Sequence, residues 1–288
     1  MSPLAALAQL DCPRCRQPQP RGTARCAHCG AKLVSKPRPA APARTSRARV
    51  PWLYLGIGLV TAPVFVLGPL LQSMGWFLAS LVHEMGHAAA AWSCGMPAVP
   101  AISLDGHAAA VHSGQLWFVA LGVMALGLFG LTRILAGRTL WIVAALLVPL
   151  YGVLAFSGLR ELYHLLAGHC AELVFAGFCL VKALEGGFTH SRLERALHST
   201  LGWFLVGRNA WLTFGLATSR SARALYHSNG SFGMTNDYVR VADDVLGWQL
   251  QSVALAMLFA ALLVPACAIL VWRLRLRLAR DGSAPPAC

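Results

Sequence analysis

The sequence predicts an all-α polytopic membrane protein, with six to seven transmembrane helices and a small N-terminal four-cysteine zinc ribbon. Three observations carry this expectation. Hydrophobic residues make up 57% of the chain and charged residues only 12%, about half the charged share of an ordinary soluble domain. Seven apolar runs, at about 52–71, 75–93, 116–135, 139–157, 162–184, 201–217 and 248–272, approach the roughly 20 residues a helix needs to cross a bilayer. Ahead of them, in a polar segment, stand two CxxC pairs.

The first element, residues 1–34, contains the stretch "CPRCRQPQPRGTARCAHCG". Cys12 and Cys15, then Cys26 and Cys29, form CxxC–x10–CxxC. Each CxxC turn aims two thiolates at one point, and two such turns close a tetrahedral four-sulfur site for a structural zinc ion. Gly30 suits the tight turn that follows the second pair. So small a module has almost no apolar core, so the metal must supply most of its folding free energy. Reduced thiols place this end in the cytoplasm. The first ten residues lack the basic start of a cleavable signal, so the run from Trp52 is expected to act as an uncleaved anchor.

Residues 35–51, "SKPRPAAPARTSRARVP", read as an extended, solvated linker. Residues 52–272 form the membrane-embedded domain, and 273–288 a basic C-terminal tail. The basicity is uneven. Residues 1–50 hold ten Lys and Arg against the single acid Asp11, and "WRLRLRLARDG" adds four arginines. In a membrane protein this pattern fits basic flanks kept inside and resting on anionic lipid, rather than nucleic-acid binding. Basic ends on one side require an even number of crossings. The run at 201–217, interrupted by Arg208 and Asn209, is the one expected not to span fully. Between the runs, "CGMPAVPAISLDGHAAAVHSGQ" (94–115) reads as a β-hairpin or a re-entrant segment, because its prolines oppose a continuous helix.

Inside the second run lies "LVHEMGHAAAAW". His83 and His87 are four apart, so on a helix they share a face and can share a metal ion. Glu84 is placed to act as general base toward a water activated by that ion. At about 1.5 Å per residue, the two histidines lie roughly 12 and 18 Å from Gly75, near mid-membrane. A carboxylate there costs on the order of 3 kcal/mol on insertion scales, which marks it as functional. A catalytic zinc needs a third protein ligand, and the candidates are Asp105, His169, Glu172 and Asp237. Glu161, His164, His169 and Glu172 also form a polar stripe, within a sector of about 140° on one helix. Such a stripe faces a bundle interior or a wet cavity.

The segment "HEMGHAAAAWSCGMPAVPAISLDGHAA" resembles the site-2 protease group of intramembrane zinc metallopeptidases over roughly residues 75–110. The resemblance implies a HExGH helix followed by a membrane-edge β-hairpin, and a zinc site completed by an aspartate on a later helix. By order and context that position is Asp237, in "GMTNDYVRVAD", with Asn236 beside it. Asn209 and Asn236 are the residues available as oxyanion stabilisers. The group's Asn/Pro-rich stretch ending in LDG is missing around Asp237, and the chain's LDG stands at Leu104 to Gly106. The resemblance does not include the cysteine module.

The expected activity is hydrolysis of peptide bonds in or near a transmembrane helix of another membrane protein. Zinc would be held by His83, His87 and Asp237, and Glu84 would be the general base. The ribbon is left for a cytosolic protein partner or for substrate selection. The alternative is a non-enzymatic metal-binding scaffold or a zinc or ion transporter, for which the polar stripe speaks. The chain is expected in the cell membrane, multi-pass.

Overall fold

The structure is a computed structural model that describes residues 9–12, 14–20, 25–32, 50–103, 108–185, 191–228 and 236–281. The chain divides into two units, 1–48 and 49–288.

In the first unit, β1 (Gln9–Asp11) pairs antiparallel with β2 (Pro18–Pro20). Two turns follow the same plan. The Arg16 amide donates to the Cys12 carbonyl at 2.8 Å and the Gly30 amide to the Cys26 carbonyl at 3.0 Å. Arg16 (φ 57°) and Gly30 (φ 66°), each just after a second cysteine, are left-handed. Glycine takes that conformation freely and arginine with strain. Most of the linker at 35–51 lies outside the described residues.

The second unit is helical. Helix α1 (Val50–Thr61) runs into a 3-10 turn (Ala62–Val66), and α2 (Pro69–Ser93) follows at a bend of 110°. Pro63 and the pair Gly68–Pro69 account for the break, Gly68 being left-handed (φ 78°) and Pro69 opening the new helix. A hairpin comes next, β3 (Ala98–Ile102) against β4 (Ala108–His112), with Ala98 opposite His112. The Trp92 indole pins it to α2 by donating to the Ala98 carbonyl at 2.8 Å.

Helices α3 (Trp117–Ile134) and α4 (Gly137–Phe156) form an apolar pair whose surface is almost wholly exposed. Gln115 ties the pair's base to the hairpin, donating to the carbonyls of Cys94 (2.9 Å) and Ala155 (2.8 Å) while accepting from Arg160. Helix α5 (Leu159–Glu185) is the central post, packed by α2, α6 (Arg192–Thr218) and α9 (Leu250–Asp281). Gly86 lets α2 and α5 touch, for a Cβ there would stand 2.5 Å from the Ala167 carbonyl oxygen. Between α6 and α9 come α7 (Arg220–Ser228), α8 (Asp237–Arg240) and a π turn (Val241–Leu246) that ends at left-handed Gly247. One apolar core gathers Leu180, Leu184, Phe204 and Leu205. A second gathers Leu165, Leu216, Tyr238 and Leu250 around α8.

Among the described residues four helices, α3, α4, α5 and α9, are long and apolar enough to cross a membrane, and α1 with α2 makes a fifth if the bent pair is one span. Helix α6, which carries the run expected not to span fully, is not one of them. It is continuous for 27 residues, because the Arg208 and Asn209 side chains both find partners on α5. Helix α9 carries the backbone through the start of the basic tail to Asp281.

Candidate metal centre

Four elements of the second unit converge on one point. Helix α2 supplies His83, Glu84 and His87, α5 supplies His164, Gly168, His169 and Glu172, α6 supplies Arg208 and Asn209, and α8 supplies Asp237. Residues 236–240 could not be tied to α2 by local pattern. They reach it because Tyr238 and Val239, both buried, anchor α8 in the core beside α5.

His83 Nε2 and His87 Nε2 are 3.0 Å apart, and Asp237 Oδ2 lies 3.1 Å from each. The far side of each ring fixes its proton. His87 Nδ1 is 2.7 Å from the His164 carbonyl oxygen. A carbonyl only accepts, so Nδ1 carries the hydrogen and Nε2 presents a lone pair. His83 Nδ1 likewise faces Glu172 Oε1 at 2.8 Å. The corner thus joins two imidazole lone pairs and a carboxylate oxygen, three acceptors that repel one another without a cation or a proton between them. Tetrahedral zinc with bonds of about 2.0–2.1 Å sets ligand atoms about 3.3–3.4 Å apart, so the corner has the dimensions of a metal site and could hold an ion. His169 also offers a ligand atom within 4.8 Å of those of His83 and Asp237. It is the more distant donor, stacked on Tyr238 with centroids 4.1 Å apart and with Nδ1 3.3 Å from Asn209 Oδ1.

Gly168 makes room for the corner. A Cβ on it would stand 2.5 Å from His87 Nε2 and 2.6 Å from His83 Nε2. Glu84 is buried and lines the same cavity of about 310 Å³ as both histidines and Asp237. The small side chains of Ala108, Ala109 and Ala110 on β4 form another wall.

The polar stripe on α5 divides by depth. Glu161, exposed, holds Arg240 at 3.0 Å and so ties α8 to α5. The His164 ring borders the cavity beside His112 (centroids 4.9 Å). Glu172 is fully buried, and its Oε2 accepts from Arg208 Nη1 and Asn209 Nδ2, both at 2.7 Å. Asn209 is thereby occupied in the interior rather than placed at an oxyanion, whereas Asn236 lines the cavity and donates to the Tyr226 carbonyl at 2.6 Å. The sequence marks Arg208 as an interruption of its run but not as the partner of Glu172, although a charge in the middle of an apolar run is itself the signal of a buried partner. Asp105 lies outside the described residues.

In the first unit, Cys12 Sγ is 3.6 Å from Cys29 Sγ and Cys15 Sγ is 3.6 Å from Cys26 Sγ. All four are free thiols clustered as a metal site would need. Tetrahedral bonds of about 2.3 Å to sulfur put sulfurs about 3.8 Å apart. The Cys15 amide and then the Arg14 amide donate to Cys12 and pull its thiol down to about 6, which favours the thiolate a metal requires. Comparison of the chain with family models, curated proteins and solved structures found no match.

Proposed function

We propose that the second unit is an intramembrane zinc endopeptidase. The observation that carries this reading is the approach of His83 Nε2, His87 Nε2 and Asp237 Oδ2 to within 3.1 Å of one another, beside a buried Glu84 on a shared cavity. Two nitrogens and one carboxylate oxygen are the donor set of catalytic zinc sites, which keep a further position open. When bound, zinc supplies the Lewis acidity that polarises a carbonyl and activates water.

The chain's own residues do the rest. Glu84 takes the proton from the attacking water as the new C–O bond forms, and returns it to the amine as the C–N bond breaks. His83 and His87 are oriented by acceptors behind their rings, and the alanines of β4 leave space for an extended backbone. The substrate is a transmembrane segment of another membrane protein, locally unwound. A second, structural zinc belongs to Cys12, Cys15, Cys26 and Cys29, in a ribbon that sits in the cytoplasm and serves a cytosolic partner. The six-to-seven-span count, a plasma-membrane location and contact of the basic flanks with anionic lipid belong to the same proposal.

A Glu84→Gln chain should keep its zinc and lose cleavage of a co-expressed reporter helix by a factor of about 10² or more. Unchanged cleavage rejects the mechanism. One observation favours a transporter instead, namely the connected polar run of buried His169, Glu172 and Asn209 with half-buried Arg208 beside the cavity. Zinc uptake by proteoliposomes that persists in Glu84→Gln would select that reading.

A further inference from the structure

We infer that Glu172 is a positioning residue for the metal corner: it orients the His83 ring from behind rather than ligating the ion itself. The inference rests on the corner being a metal site, and not on peptide hydrolysis.

The two imidazoles are held in matching ways by unlike groups. Behind His87 stands a backbone carbonyl, that of His164, at 2.7 Å. Behind His83 stands the carboxylate of Glu172, at 2.8 Å. A carboxylate that accepts from the outer N–H of a ligating imidazole fixes its tautomer, locks its plane and strengthens the inner nitrogen as a donor. Glu172 cannot also reach round the ring, since its two oxygens are already engaged. Oε1 meets His83 Nδ1, and Oε2 is gripped by Arg208 and Asn209 at 2.7 Å each. Fully buried charge survives only when paired and hydrogen-bonded, and Arg208 and Asn209 meet that need. The run of contacts therefore passes from α6 through α5 to α2, and it explains the polar pair in the middle of α6.

The test uses the full-length chain with Cys12, Cys15, Cys26 and Cys29 replaced by serine, so that zinc bound belongs to the second unit. Zinc affinity is measured by chelator competition, and the histidine tautomers by imidazole nitrogen NMR. Glu172→Gln keeps the volume and should still bind one zinc per chain, about 10- to 100-fold more weakly, with His83 no longer held as the single Nδ1–H tautomer. Asn209→Ser, which loosens Glu172 without touching it, should shift both readouts the same way by less, and it tests the inference if Glu172→Gln fails to fold. Wild-type affinity in both variants overturns the positioning role and leaves the metal corner intact. Loss of all zinc in Glu172→Gln together with retention in Asp237→Asn makes Glu172 a ligand and overturns it too. No zinc bound by the serine-substituted parent sinks the metal corner itself, and the inference with it.

Discussion

Gly168 shows how narrowly the corner is fitted. Its missing Cβ would collide with the inner nitrogens of both His83 and His87, so the helix that supports the site must be bare at that one position. Overpacking of a tight interior costs about 1–3 kcal/mol. Here the strain falls on the two rings, because α5 is locked by its neighbours on three sides. Gly168→Ala should therefore weaken zinc binding at the corner about tenfold or more while raising intrinsic helix propensity. Chelator competition together with circular dichroism reads both effects. Undiminished affinity would mean that the rings sit elsewhere than described. Glu84 is buried on the same cavity as both rings.

At the scale of elements, spacing made some features legible and others opaque. His83 and His87 share a face because four residues make about one turn, and no tertiary knowledge is needed to see it. The same holds for the two CxxC turns, whose parallel hydrogen bonds at Cys12 and Cys26 repeat one local geometry. The prolines of 94–115 denied a helix and left a hairpin or a re-entrant segment, of which the hairpin forms. Asp237 stood among four candidates for the third ligand and was singled out only through a resemblance, since a four-residue helix followed by a π turn has no periodicity to mark it. In helix α6 the sequence shows Arg208 and Asn209 inside an apolar run but not the Glu172 carboxylate that both of them meet. The cysteine module also carries a pH signature. With the Cys12 thiol near 6, it is a thiolate above that value and takes up a proton below it. Metal binding expels whatever protons the ligands hold, so affinity falls with acidification. Log apparent Kd should therefore rise as pH falls. Zinc titrations of the full chain across pH 5–7 check this, and an affinity that does not change with pH would remove the thiols from the ligand set.

Across the whole molecule, the path of α6 decides which loops share a side. Its 27 residues span about 40 Å, more than the roughly 30 Å of a hydrocarbon core. It falls short of the apolar spans by composition, yet the polar groups in the middle of its apolar run are engaged with the protein. Asn209 is 2% exposed and Thr213 fully buried, and Arg208 reaches Glu172. Polar groups buried against protein do not forbid a crossing. From the α3–α4 turn to the basic end of α9 the chain runs through α4, α5, α6 and α9. If α6 crosses, that is an even number of passages, and the turn flanked by Arg133 and Arg138 lies on the same side as Arg273, Arg275 and Arg277. The positive-inside rule asks for the same arrangement. An alkaline phosphatase domain inserted after Ala136 and another fused at the C-terminus should then both be inactive, and green fluorescent protein at the C-terminus should fluoresce. Opposite readings from the two sites would make α6 a helix that enters without crossing. Its Arg208 and Asn209 would then serve Glu172 from a segment that returns to the side it came from.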